Sequence, residues 1–214
     1  GIAKIDGGGT GTRYILLTVN NYTAKHFKNF WFTRNGSTST AQHLVVSNGP
    51  SNRFTRCRFS HSSASGANAG GRFVECEADH NGTIGFFQIN RAYRCIAHNN
   101  GTGGIYLFQG IATNCIAFAN GTYGFSIDNN AAGNMTLDNC DSYANGTVGV
   151  NINKGGGASG TTFELVDCNI VDNGTYGVGF SGAGTSAGFI LTNVGFGSGT
   201  MANTSGDVDT ANAG

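Results

Sequence analysis

From residue 57 onward, apolar side chains alternate with polar ones in short bursts, and the bursts themselves recur about every 20 residues. One burst pairs Cys76/Ala78, Cys95/Ala97, Cys115/Ala117 and Cys140/Ser142; the next pairs Ile105/Leu107, Phe125/Ile127, Val150/Ile152 and Val178/Phe180. A period of two marks strands with one buried face. No segment sustains a 3.6-residue apolar period between caps, so little or no helix is expected. Six cysteines keep the phase: Cys57, Cys76, Cys95, Cys115, Cys140 and Cys168 lie 19, 19, 20, 25 and 28 residues apart. Asn-Gly-Thr begins five residues after each of the last five, at Asn81, Asn100, Asn120, Asn145 and Asn173. A glycine follows nine residues after all six. Phe30 upstream and Val194 downstream occupy the cysteine phase.

Such a period predicts a solenoid, in which each coil buries its inward side chains against its neighbours. The expected architecture is all-β, with about eight coils of 19–28 residues, three short strands per coil and a partial coil around Tyr14 to Val19. Residues 1–197 form one domain in this reading, and the small polar tail 198–214 is a last coil or a linker. The Asn-Gly corners are expected to supply positive φ, which glycine adopts freely and asparagine tolerates. Their stacked amides are expected to bond along the rod, as asparagine ladders do. The glycine nine residues after cysteine is expected to turn the backbone into the second strand.

Composition narrows the partners. Lysine plus arginine and aspartate plus glutamate both number 12, so the net charge is zero, and only 11% of residues are charged. Nucleic acid, which wants a basic stripe, is not the expected partner. No apolar run approaches a membrane span. The cysteines read as buried thiols at one phase: in-register strands hold Cβ atoms about 4.8 Å apart, and a disulfide needs roughly 3.5 to 4.5 Å with converging vectors. Disulfide and metal readings stay as alternatives, although no Cys-x-x-Cys or nearby histidine pair supplies zinc spacing. Asn-Gly-Thr also matches the N-glycosylation sequon.

Candidate chemistry lies on outward positions. Those of the second strand are Phe87 and Ile89, Tyr106 and Phe108, Ser126 and Asp128, then Asn151 and Asn153 followed by Lys154. Aromatic rings beside amides and carboxylates suit a sugar chain, with apolar faces and hydroxyl edges; the alternative is a subunit contact. Phe87, Tyr106, Phe108, Ser126, Asn151 and Asn153 are the expected substrate-binding set. Asp128 with Lys154 is the expected reactive pair. Longer corners around Asn129 to Asn134, Lys154 to Gly160 and Gly182 to Ala187 would wall a groove. Glu77, Asp79 and His98 form an alternative cluster, for which ladder pairing is the plainer account. No cofactor or metal is expected.

The repeat CIAFANGTYGFSIDNN followed by MTLDNCDSYANG resembles the right-handed parallel β-helix repeats of the pectate-lyase-like superfamily, from roughly Phe30 to Phe196. That resemblance implies a right-handed parallel β-helix, a polysaccharide or cell-surface glycan as partner, lyase or hydrolase activity in the enzymatic case, and an extracellular or virion-associated setting. It also admits a phage tailspike or fibre segment, in which the aromatic patch is a homotrimer contact. Calcium-dependent lyases of this type use clustered aspartates, often an Asp-Asp pair, and this chain has no adjacent acidic pair.

Overall fold

The computed structural model describes residues 3–6, 24–34, 43–47, 51–128, 134–153, 162–181, 188–197 and 206–208. Every strand pairing in it is parallel, and no helix occurs among the described residues. The chain winds through three ladders. The first holds Ala3–Asp6, Phe30–Thr33, Arg58–Ser60, Glu77–Asp79, Ile96–His98, Ile116–Phe118, Asp141–Tyr143 and Asn169–Val171. The second runs through Ala67–Ala69, Ile84–Tyr93, Gly103–Thr113, Tyr123–Asp128, Val148–Asn153 and Tyr176–Ser181, and ends on Gly206–Val208 in the tail. The third contains His26–Lys28, Arg53–Thr55, Arg72–Val74, the ends of the two long second-ladder strands, Met135–Asp138, Thr162–Val166 and Gly188–Thr192. The partial coil expected at Tyr14 to Val19 lies outside the described residues; Ala3–Asp6 pairs with Phe30–Thr33.

Register follows the sequence period. Ala78, Ala97, Ala117 and Ser142 are paired partners and all buried. Ile105, Phe125 and Val150 line up likewise in the second ladder. In the early coils phenylalanine fills the interior: Phe27, Phe54 and Phe73 stack at 5.1 and 4.8 Å between centroids. Each fully buried ring contributes about 1.5–3 kcal/mol of transfer free energy. The six cysteines are buried free thiols, and burial pushes the Cys76 and Cys95 thiols above their ordinary range. Packing, not cross-linking, is their role in the core.

The asparagine ladder forms as expected. Asn81, Asn100, Asn120, Asn145 and Asn173 donate from one Nδ2 to the next Oδ1 at 2.9, 3.0, 3.0 and 3.0 Å. Asn81, Asn100, Asn120 and Asn145 also donate Nδ2 to a backbone carbonyl, at 3.1, 3.1, 3.1 and 3.2 Å. All five are at most 2% exposed, so the sequon reading fails in the folded protein.

The corners differ from expectation. The left-handed residue is the one before the ladder asparagine: His80, Asn99, Ala119, Ala144 and Asp172 have φ of 52–53°. A second such corner precedes each cysteine, at Arg56, Glu75, Arg94, Asn114, Asn139 and Asp167. The glycines serve close approach instead. A Cβ on Gly101 would lie 2.2 Å from the Gly82 carbonyl oxygen of the coil before. A Cβ on Gly85 would lie 2.9 Å from the Asn100 amide nitrogen, so that glycine makes room for the ladder.

Candidate functional site

On the second ladder, Tyr106, Ser126 and Asn151 are register partners, as are Asp128 and Asn153. The Phe87 and Tyr106 rings lie 5.0 Å apart, and His43 stacks on Phe87 at 6.1 Å. A row of three half-buried rings therefore runs along this face, with the Ala67–Ala69 coil between the coils of His43 and Phe87. His43 was not in the expected set; nothing in its local sequence marks its phase. Phe108, the residue after Leu107 on the same strand, is half-buried. Asn151 donates to the Ser126 hydroxyl at 3.2 Å.

Three expectations need correction. Ile89 is fully buried, not outward, and pairs with Leu107. Gln88 takes φ 56° there and the register shifts, so the side chains beyond it change face. Ser126 and Asp128 are each only 2% exposed, so neither lies open on a groove floor. Their polar atoms serve neighbours: Asp128 accepts from the Tyr106 hydroxyl, and Ser126 accepts from Asn151. Burial first, and then the Asp128 carboxylate, push the Tyr106 hydroxyl above its ordinary pKa, so it stays a donor. Lys154 and most of the three long corners lie outside the described residues.

The alternative cluster does assemble, on the first ladder. Asp79 pairs in register with His98, and Glu77 with Ile96. Single ligand atoms of Glu77, Asp79 and His98 come within 4.8 Å of one another. Their bonds are already committed. Arg58 donates Nε and Nη2 to the two Asp79 oxygens at 2.8 and 2.9 Å, His80 meets Asp79 at 2.7 Å, and His98 meets Glu77 at 3.2 Å. Burial raises the Asp79 pKa, but the Arg58 hydrogen bonds and then His80 outweigh it, holding the carboxyl below its usual range. A guanidinium bonded to both oxygens leaves this carboxylate poorly suited to a metal ion. The His98 ring continues into a stack with Phe118 at 4.9 Å, which meets Tyr143 at 5.1 Å.

A third feature was missed in the sequence reading. Arg53, Arg72 and Arg91 are register partners on the outward side of the third ladder. They line a cavity of about 510 Å³. Their spacing of 19 and 19 residues is the coil period itself, so the signal was present once the phase was known.

Two solved structures share the architecture. The pectate lyase Pel9A aligns with 91% of this chain and 68% of its own, at 14% identity and a TM-score of 0.57. The A-module of the Azotobacter vinelandii mannuronan C-5 epimerase AlgE4 aligns with 96% of this chain and 81% of its own, at 12% identity and a TM-score of 0.51. At such identities the likeness is one of fold. No curated protein matches the chain in sequence. Residues 44–194 match the family described as a right handed beta helix region, and with its parallel three-ladder winding the chain belongs to that family.

Proposed function

We propose that this β-helix binds a polysaccharide along the outer face of its second ladder. The single observation that carries the reading is the ring row His43–Phe87–Tyr106 beside the in-register polar row Tyr106–Ser126–Asn151. Half-buried rings offer apolar platforms for sugar faces, and the amides of Asn151 and Asn153 offer donors and acceptors for hydroxyls. Phe108 extends the platform. Ser126 and Asp128 act from beneath as positioning groups: Asp128 orients the Tyr106 hydroxyl, and Ser126 anchors Asn151. Two structural relatives named as a pectate lyase and a mannuronan epimerase support a polysaccharide as the ligand class.

The test is affinity electrophoresis and calorimetry over a panel of neutral and acidic polysaccharides. Tyr106→Ala and Phe87→Ala are each expected to weaken binding by about tenfold, the loss of roughly 1.4 kcal/mol of ring contact. Asp128→Asn and Tyr106→Phe should weaken it equally, and the double variant no further, because the two act as one unit. Unchanged affinity in both ring variants would overturn the reading. A reducing-end assay on the bound polymers extends the test to cleavage, with Asp128 and Lys154 as the residues to substitute.

A further inference from the structure

The third ladder carries a column of like charges that no described residue answers with an ion pair. Arg53, Arg72 and Arg91 are all exposed. None of them makes an ion pair among the described residues. His26 precedes Arg53 in the same register. Like charges directly opposite on neighbouring strands destabilise a sheet. The neighbouring corner column shows that this fold can place a counter-charge: Glu75 stands between Arg56 and Arg94, at 3.3 and 3.9 Å. Among the described residues no carboxylate pairs with any of the three arginines.

The surface under them is built. Gly71 and Gly110 hold φ of 130° and 116° at the corner before the arginine strand, and a Cβ on either would lie 2.5 or 2.0 Å from the carbonyl oxygen of Asn52 or Asn90. Asn52 Oδ1 accepts the Lys25 N–H at 3.1 Å, and Asn90 Oδ1 accepts the Gly71 N–H at 2.9 Å. The corner is thus locked and free of bulky side chains, and the cavity of about 510 Å³ opens over it. A second cavity of about 220 Å³ shares Arg72 and Arg91 and extends the trough to Tyr93 and Thr113.

We infer that the Arg53–Arg72–Arg91 column is a separate binding site for the carboxylate or sulfate groups of an acidic glycan running along the rod. A guanidinium presents a planar fork that matches either group with two hydrogen bonds. The strand spacing of about 4.8 Å is close to the length of one pyranose unit in a linear chain, so a chain running along the rod carries acid groups over the column. The inference rests on the polysaccharide reading for the class of polymer and adds its charge and a second point of attachment. Aromatic platforms between the charges, which a single-stranded nucleic acid wants, are absent from the larger cavity's lining, and the Tyr93 ring of the smaller one is already covered by Arg94 at 5.0 Å.

The experiment uses the full chain with polygalacturonate as the carboxylated probe, heparin as the sulfated one, dextran as the neutral one and single-stranded DNA as the competing polyanion. Arg72→Gln should weaken binding to the matching acidic glycan by about tenfold or more, the value of one charged hydrogen-bonding group. The triple Arg→Gln variant should lower acidic-glycan affinity to the level of dextran and flatten its salt dependence, with dextran binding unchanged. Arg72→Lys should recover only part, because charge is kept and the fork is lost. The melting temperature of the triple variant should not fall, since removing the column relieves repulsion. Phe87→Ala separates the two sites: it reduces binding of all glycans if the ring face fails, and leaves the arginine-dependent increment intact. Acidic-glycan affinity that stays above the dextran level in the triple variant, or tighter arginine-dependent binding of DNA than of either glycan, would overturn the assignment.

Discussion

Two arginines on one coil, Arg53 and Arg58, lie five residues apart and meet opposite fates. Arg58, on the first ladder, faces Glu77 as its register partner and clamps buried Asp79 with two bonds. Arg53, on the third ladder, faces Arg72, which faces Arg91. The first column is closed chemistry, with each charge answered from the next coil. The second is open. At 4 Å, two like charges repel by about 1 kcal/mol in water and about 4 kcal/mol near a protein surface. Long side chains splay to reduce that cost, yet a column held at one phase through three coils keeps it. Repetition alone does not distinguish scaffold from site; whether the fold supplies the partner does.

The largest effect expected from breaking this contrast is at Arg58. Arg58→Ala leaves the Asp79 carboxylate buried without its partner and should cost about 3–5 kcal/mol in denaturant unfolding. Arg72→Gln should cost nothing by the same measurement, and a loss there comparable to Arg58→Ala would show the open column to be structural.

Acid gives the next effect. The folded pKa of Asp79 is depressed, so its contribution is complete above the unfolded value near 3.9 and is lost as pH falls through the folded value. Stability measured from pH 6 downward should drop in the wild type, and Asp79→Asn should flatten that drop. The arginine column keeps its charge over the whole range, so the triple Arg→Gln variant should parallel the wild type.

The smallest effect is at Glu75, whose pairs with Arg56 and Arg94 are half exposed. Glu75→Gln should change stability by less than about 1 kcal/mol. It should also raise acidic-glycan affinity slightly by removing a carboxylate three residues beyond Arg72 in the chain. A fall in affinity would show Glu75 to be part of the site.

Much of this was legible from spacing, for a physical reason. In a parallel in-register stack, residues one coil period apart in sequence become neighbours in space, so the columns can be written before any coordinates. The Ala78–Ala97–Ala117 core, the Asn81–Asn173 ladder, the Asp79/His98 adjacency and the Tyr106–Ser126–Asn151 row all follow from the period. The arginine column was equally available at 53, 72 and 91. A net charge of zero hid it, because an average over the surface says nothing about how charge is divided among faces.

Other features have no local signature. The left-handed corners fall on His, Asn, Ala, Asp, Arg and Glu alike, because neighbouring coils impose the conformation whatever the side chain. The shift at Gln88 that turns Ile89 inward is likewise decided by the fit between coils. The burial of Ser126 and Asp128 was decided in space, by what covers the second strand.

The sequence by itself determined the coil period and the register of the cysteine, alanine and asparagine columns, since periodicity maps directly onto contact in a parallel stack. Only the tertiary structure decided which column closes on itself and which stays open. That depends on where side chains end rather than where they begin: Arg58 reaches a buried carboxylate, and Arg53, Arg72 and Arg91 reach a cavity.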